Sequence, residues 1–300
     1  MPSPSHWISA ARLRTLPLSL SSMLMGAALA QLRGGLDIQV LYWTGITTIL
    51  LQILSNFSND YGDSQHGADN EERIGPARAV QSGEISHEQM KKAIILMSLL
   101  SFSAGLYTLF LSGIRFDLTG FFYLLLGIAA IAAAIKYTAG KNPYGYKGKG
   151  DLFVFLFFGI IGVLGSSTLH DLEPPSLLEF LPAVSIGLLC AGVLNLNNMR
   201  DRIPDERAGK HTLAVRLGAE ASRRYHNIII TLGLLALLVF SWAADLHGIQ
   251  WSYLLIYPFF ILHLIRVRRT EKDEALDPEL KKLALSTFFM ALIFLVSYLF

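Results

Sequence analysis

The chain has 300 residues, of which 52% are hydrophobic and 16% are charged, with a formal net charge of +2. Together with a mean hydropathy of +0.45, these values exclude a soluble globular protein and predict an integral membrane protein. The single cysteine, Cys190, excludes an intramolecular disulfide framework.

Apolar runs long enough to cross a bilayer occur at about nine places along the chain. We therefore predict an all-α fold class, with residues 1–300 forming a single transmembrane domain of about nine helices. In chain order the runs are residues 15–31, 39–58, 93–112, 119–137, 151–169, 177–196, 227–245, 251–265 and 283–300.

Basic residues are confined almost entirely to one side of these spans. All of the 25 Lys and Arg residues except Arg33 and Arg115 lie before the first span or beside the connections that follow even-numbered spans. The positive-inside rule then predicts a cytoplasmic N-terminus and cytoplasmic long loops, with the C-terminus outside. The first span also resembles a cleaved secretory signal, but Arg12 and Arg14 fit the charge pattern of a retained span.

Two acidic clusters follow spans on this predicted cytoplasmic side. If the second span continues as a helix, Asn56, Asp60 and Asp63 share one face, at positions i, i+4 and i+7. After the sixth span, Asn197, Asp201 and Asp205 repeat a four-residue spacing. Carboxylates beside hydrocarbon are costly without a cation, so the two matched clusters predict one shared site.

Oxygen ligands in this number are typical of Mg²⁺, which usually keeps one or two carboxylates and shares substrate phosphates. Basic side chains near the clusters would bind the phosphate oxygens. Our candidates for diphosphate contacts are Arg78, Lys141 and Lys210, and Asp69 is a further candidate metal ligand in the loop after the second span. Alternatively, the acids are solvated helix ends that form salt bridges.

Mg²⁺ and basic groups that hold a diphosphate would stabilise it as a leaving group, while an apolar groove would shield a carbocation from water. An allylic prenyl diphosphate is the substrate that needs both features. A secondary transporter is the alternative of another class, but it should carry ionisable groups near the bilayer midplane, whereas these acids lie at the ends of spans.

The two motifs, Asn59-Asp60-x-x-Asp63 and Asp201-x-x-x-Asp205, resemble those of the UbiA superfamily of membrane prenyltransferases. Within it the chain is most similar to the branch that prenylates 1,4-dihydroxy-2-naphthoate in menaquinone synthesis. Asp69 lies two positions later than the third aspartate of the general superfamily motif, as in that branch. Further matching stretches are Arg14-Thr15-Leu16-Pro17, Arg73-Ile74-Gly75-Pro76, Gln81-Ser82-Gly83, Tyr144-Gly145-Tyr146 and Lys210-His211-Thr212.

The resemblance implies helices around a central cavity and a multi-pass protein of the bacterial cell membrane. It also implies Mg²⁺-dependent transfer of a polyprenyl chain to dihydroxynaphthoate, with loss of carbon dioxide and diphosphate. Other aromatic acceptors, such as 4-hydroxybenzoate or homogentisate, remain alternatives because the same metal chemistry would serve them. The implied roles are metal binding and catalysis by Asp60, Asp63, Asp201 and Asp205, with Asn56, Asn197 and Asp69 as further ligands.

Overall fold

A computed structural model describes residues 2–66, 78–115 and 117–299, and within these ranges all regular secondary structure is helical, as the sequence predicts. The α-helices are α1 (Pro4–Ala11), α2 (Leu16–Leu32), α3 (Ile38–Gln65), α4 (His87–Leu111), α5 (Leu118–Lys136), α6 (Gly150–Val154), α7 (Ser166–Asp171), α8 (Phe180–Arg200), α9 (Arg202–Arg207), α10 (Leu213–Ala243), α11 (Tyr257–Arg269) and α12 (Asp277–Val296). Phe155–Gly165 is a π-helical segment that joins α6 to α7. Short 3₁₀ helices are Leu13–Thr15, Tyr144–Lys147, Leu177–Glu179, Gly248–Ile256 and Asp273–Leu276.

Eight helices within the described residues are long and apolar enough to cross a membrane. The ninth predicted span corresponds to α12, whose first two turns are too polar to meet the same composition because they carry Asp277, Glu279, Lys281 and Lys282. Its later residues Leu283, Met290 and Phe294 are nevertheless fully buried in the bundle. The architecture thus agrees with the prediction of about nine membrane helices.

The predicted boundaries differ most at α10, which begins at Leu213 rather than at residue 227. Thr212 caps its start by accepting a hydrogen bond from the Val215 amide at 3.4 Å, and Gly218 interrupts the helix with a positive φ of 78°. The short helices α1 and α9 were not predicted. Hydropathy identifies apolar runs of membrane length, so it does not detect the polar first turns of helices or helices of only six to eight residues.

Close helix contacts pack α2, α8, α10 and α12 into the main core. A Cβ atom added at Gly159 would lie only 2.7 Å from Gly187 Cα, so glycine at this crossing allows the π-helical segment to approach α8. At Gly26, an added Cβ would lie 2.0 Å from Ser166 Oγ. Helix α3 packs against α2, and α4 and α5 pack against α3 and against each other to complete the bundle.

The two ends of the bundle carry different groups. Asn56 of α3 donates a hydrogen bond to Thr15 Oγ1 at 3.0 Å, so the acidic end of α3 lies beside the start of α2. At the far end of α2, Gln31 donates to the Tyr298 carbonyl at 3.3 Å. The end of α12 therefore lies at the opposite end of the bundle from the first acidic cluster.

Candidate active site

The first acidic cluster lies on one continuous helix, because α3 extends to Gln65 as its spacing predicted. Asn56, Asp60 and Asp63 are all buried there, with side chains that point into the protein. Hydrophobic residues of the same helix, including Leu54 and Phe57, pack against α1 and the segment after residue 78. This packing removes the carboxylates from bulk water, so each of them needs a donor or a cation.

Asp60 binds the backbone of the chain segment that begins at residue 78. Its Oδ2 accepts a hydrogen bond from the Ala79 amide at 3.1 Å, and its Oδ1 accepts one from the Val80 amide at 3.3 Å. A carboxylate that accepts two backbone amide bonds is stabilised in its charged form. Asp60 therefore fixes this segment against α3.

Asp63 is surrounded by three donors from three different parts of the chain. Arg78 donates to its Oδ2 at 3.2 Å, and the Tyr146 hydroxyl donates to its Oδ1 at 2.9 Å. The Lys210 ammonium lies 3.7 Å from the same Oδ1. Two of the three predicted diphosphate contacts, Arg78 and Lys210, are thus next to this carboxylate.

The second acidic cluster lies across a helix break rather than on one helix. Helix α8 ends at Arg200, and Asp201 leads into the short α9. The four-residue spacing still keeps Asp201 and Asp205 one helical turn apart, because the Asp205 amide donates a hydrogen bond to the Asp201 carbonyl at 2.8 Å. Asp201 and Asp205 are both buried.

Arg200 binds Asp201 through two hydrogen bonds, from Nε to Oδ1 at 2.8 Å and from Nη2 to Oδ2 at 2.6 Å. The same guanidinium donates to Asn197 Oδ1 at 3.0 Å and forms an ion pair with Asp277 at the start of α12. Asn197 and Asp201 are therefore organised around one buried arginine.

The two clusters meet at Lys210. Its ammonium lies 3.7 Å from Asp63 Oδ1 and 3.7 Å from Asp205 Oδ1, so these carboxylate oxygens are separated by no more than twice that distance. The ammonium also lies 5.3 Å from the centre of the Tyr146 ring. Residues that are more than 140 positions apart in sequence thus face one shared space, as the matched clusters predicted.

The other predicted site residues are placed differently. Asn56 donates to the Ala11 carbonyl at 2.8 Å and accepts a hydrogen bond from Gln52, so its amide also holds α1 against α3. Lys141 is exposed, and no ion pair joins it to another described residue. Asp69 lies outside the described residues. Metal binding by all seven predicted ligands and diphosphate binding by all three predicted basic residues remain predictions.

An apolar cavity of about 340 Å³ adjoins the clusters. Along α3 its lining extends from Thr44 to Asn59, the residue before Asp60, which corresponds to roughly 22 Å of helix. Its described lining residues include no charged side chain, and a neighbouring cavity of about 190 Å³ shares part of the same wall. The shared lining residues are Thr44, Thr48, Leu51, Ala130, Ile161 and Gly162.

Tyr137 connects this cavity with the acids. It lines the cavity just after α5, and burial raises the pKa of its phenol well above the ordinary value. The nearby negative charges of Asp151, Asp63 and Asp205 raise that pKa further. Its hydroxyl therefore stays protonated at neutral pH and can donate a hydrogen bond beside the cavity.

The donor set fits Mg²⁺ that is shared with a phosphorylated substrate. Within the described ranges, no three His, Cys, Asp or Glu side chains converge closely enough to hold a metal ion by themselves. Asp63 and Asp205 nevertheless provide oxygen ligands around the position of Lys210, where positive charge is already required. Mg²⁺ usually takes only one or two carboxylates and completes its shell with water and phosphate oxygens.

Besides Tyr137, which no sequence motif singled out, two contributors to this site were missed by sequence reasoning. Tyr146 was noted only as part of a matching stretch, and Asp277 was not singled out at all. A tyrosine in a Gly-rich loop and an aspartate in the first turn of a helix are both common surface features. Only their long-range partners, Asp63 and Arg200, distinguish them.

Comparison with known proteins gives consistent results across the chain. Residues 19–293 match the model of the UbiA prenyltransferase family. The chain is 42% identical over 294 residues to the 1,4-dihydroxy-2-naphthoate octaprenyltransferase of Haemophilus influenzae, covering 96% of this chain and 94% of the relative. It is 41% identical to the Escherichia coli protein of the same name, covering 92% of this chain and 89% of the relative.

Solved structures share the fold at much lower sequence identity. A UbiA homologue from Aeropyrum pernix K1 superposes with a TM-score of 0.71 at 17% identity, covering 94% of this chain and 98% of that one. A UbiA homologue from Archaeoglobus fulgidus, bound to GPP and Mg²⁺, superposes with a TM-score of 0.61 at 15% identity, covering 94% and 99%. These likenesses confirm the helical bundle fold.

Proposed function

Since the chain belongs to the UbiA prenyltransferase family, we propose that it is a 1,4-dihydroxy-2-naphthoate polyprenyltransferase. It transfers the polyprenyl chain of a polyprenyl diphosphate to the naphthoate ring, displaces the carboxyl group as carbon dioxide and releases diphosphate. The product is the demethylated menaquinol. The choice of acceptor follows the names of relatives that share more than 40% of their residues with this chain over nearly its whole length.

The meeting of both acidic clusters at Lys210, beside an uncharged cavity, is the observation that carries this proposal. A prenyl diphosphate has one highly charged end and one purely apolar end. Asp60, Asp63, Asp201 and Asp205 would hold Mg²⁺ and its waters at the charged end. The cavity beside Asn59 would take the isoprenoid tail, with further units continuing along α3.

Mg²⁺, when bound, supplies positive charge that stabilises the diphosphate as it leaves. Arg78 and Lys210 add charge on the protein side, since both are within reach of Asp63 and can turn from the carboxylate to phosphate oxygens. Tyr137 donates a hydrogen bond at the boundary between the diphosphate and the tail. Lys141 is the remaining proposed phosphate contact, from the exposed loop after α5.

The apolar walls would contribute by excluding water. As the bond between C1 and oxygen breaks, positive charge develops on the allylic carbon, and water would capture it. Phe153 of α6 and Phe157 of the π-helical segment line the cavity near Tyr144, whose ring stacks on Phe153 at 4.0 Å. Aromatic faces at this position can stabilise developing positive charge without reacting with it.

The protein is a multi-pass membrane protein, and we propose that residues 1–300 form one prenyltransferase domain in the bacterial cell membrane. Its N-terminus and both acidic clusters would face the cytoplasm, with the C-terminus outside. The charge distribution supports this orientation, as does the location of Arg33 with Asp171 and Glu179 at the far end of the bundle.

The direct test incubates the purified protein with dihydroxynaphthoate, a polyprenyl diphosphate and Mg²⁺, followed by mass analysis of the lipid product. The expected product contains the prenyl chain and lacks the carboxyl group. Parallel reactions with 4-hydroxybenzoate and homogentisate compare the alternative acceptors. A prenylated product from either of these, with none from dihydroxynaphthoate, would overturn the proposed acceptor while keeping the reaction class.

A further inference from the structure

Arg200 occupies both oxygens of Asp201, although Asp201 is a proposed metal ligand. The two hydrogen bonds, at 2.8 and 2.6 Å, are bidentate and almost completely buried. A metal ion that binds Asp201 must therefore displace at least part of this contact. Binding of Mg²⁺ at the second cluster becomes an exchange of one cation for another, rather than the filling of an open site.

A guanidinium that loses its carboxylate inside a protein is costly, because a buried charge without a partner is strongly destabilising. Arg200 avoids this cost through a second carboxylate. Its Nη1 forms an ion pair with Asp277, the first residue of α12, while Nε and Nη2 donate hydrogen bonds to Asp201. Since different nitrogens are used, the Asp277 contact can persist when Asp201 is released.

We propose that Asp277 is a positioning residue that retains Arg200 when Mg²⁺ takes Asp201. This inference rests on the proposed function, because it assumes that the acidic clusters bind Mg²⁺ with a diphosphate. Asp277 touches neither substrate nor metal and acts only through Arg200. Asn197, which accepts from Nη2 at 3.0 Å, provides a neutral second contact on the same guanidinium.

The neighbouring ion pair provides a matched control. Arg202 lies two residues after Arg200 and donates to Asp273 Oδ2 at 3.1 Å, in the same connection between α11 and α12. Arg223 binds the other oxygen of Asp273 at 2.8 Å. This pair joins neighbouring elements, the start of α9 and the 3₁₀ helix before α12, and its contacts do not include Asp201 or Asp205. Asp273→Asn therefore removes a nearby contact between a carboxylate and an arginine without acting on Arg200.

The test measures Mn²⁺ binding to the purified full chain by electron paramagnetic resonance, with inorganic pyrophosphate present and no acceptor. Asp277→Asn leaves Asp201 as the remaining carboxylate on Arg200, so release of Asp201 becomes harder. Because Asp277 is half exposed, we expect its loss to weaken Mn²⁺ binding on the order of threefold to tenfold. Asp273→Asn should stay within about twofold of the unchanged protein.

Arg200→Gln should have the opposite effect on Mn²⁺ affinity. Without the competing guanidinium, Mn²⁺ should bind more tightly than to the unchanged protein, and the metal-free variant should unfold at a lower temperature that Mn²⁺ with pyrophosphate restores. If this variant does not fold, the comparison of Asp277→Asn with Asp273→Asn decides alone, because Asp277→Asn keeps the Arg200 contact with Asp201.

Equal Mn²⁺ affinity in Asp277→Asn and the unchanged protein would overturn the inference, as would equal weakening in Asp273→Asn. Weaker binding to a folded Arg200→Gln would also contradict it. These results are independent of the product assay. If the unchanged protein makes no prenylated naphthoate, the proposed function fails even when the order of metal affinities is as expected.

Discussion

Asp63→Asn is the most informative single substitution, because Asp63 is the carboxylate on which the donors of both clusters converge. The change keeps the size of the side chain but removes its charge. It weakens a charge-assisted hydrogen bond from Arg78 at 3.2 Å and the attraction of Lys210 at 3.7 Å. The Tyr146 hydroxyl, at 2.9 Å, retains an oxygen acceptor if the amide is suitably oriented.

The expected loss follows from these contacts. A hydrogen bond to a charged group contributes about 1.5–3 kcal/mol, and the metal ligand that we propose at this position is lost as well. A loss of about 3 kcal/mol of transition-state stabilisation lowers kcat/KM roughly 150-fold. The assay is the rate of prenylated naphthoate formation at saturating Mg²⁺, with folding checked by thermal unfolding.

Asp37→Asn is the matched control, since it makes the same chemical change at the other end of the same helix. Asp37 caps α3 by accepting hydrogen bonds from the Gln39 and Val40 amides at 2.7 and 3.0 Å, and asparagine is an equally good cap. Its activity should be close to that of the unchanged protein. If folded Asp63→Asn keeps kcat/KM near normal, or Asp37→Asn loses as much, the assigned role of Asp63 is refuted.

Three further outcomes are expected. Ala130→Phe places a larger side chain in the cavity and should raise KM for long prenyl diphosphates about tenfold, more than for short ones. Ala129 is exposed, so Ala129→Phe should leave KM unchanged. An equal rise in KM for both variants would contradict the proposed tail site. Chelation by EDTA should abolish product formation and added Mg²⁺ should restore it; activity that survives chelation would exclude the metal role. Burial raises the pKa of Tyr144, so the unfolded chain loses the phenol proton at a lower pH than the folded chain, and the free energy of unfolding falls as the pH rises above about 10. Chemical unfolding at pH 7 and at higher pH should show a smaller fall in this free energy for Tyr144→Phe than for the unchanged protein. An equal fall in both would contradict this assignment.

The sequence predicted the first acidic cluster well because its geometry is local. Asn56, Asp60 and Asp63 share a face whenever α3 continues past the apolar run, and it does so to Gln65. For the second cluster the order of the acids was right, although the helix breaks at Asp201. The two acids stay one turn apart across this break because the Asp205 amide still donates a hydrogen bond to the Asp201 carbonyl.

The predicted phosphate contacts could not be told apart from the sequence. Arg78 and Lys210 lie beside Asp63, whereas Lys141 is exposed although it carries the same charge and is close to the clusters in the loop order. A basic residue in such a loop fits the predicted topology whether its side chain is exposed or lies beside a carboxylate. Its distance from a carboxylate depends on how the loop after α5 folds over α3, which is not encoded in a local pattern.

The sequence by itself determined a helical membrane protein and the family to which it belongs, because hydropathy and short motifs are properties of neighbouring residues. The tertiary structure alone decided that Lys210 stands between Asp63 and Asp205, and that Asp277 shares Arg200 with Asp201. These contacts join parts of the chain that are distant in sequence, so they form only when the helices pack together, and no pattern of neighbouring residues specifies them.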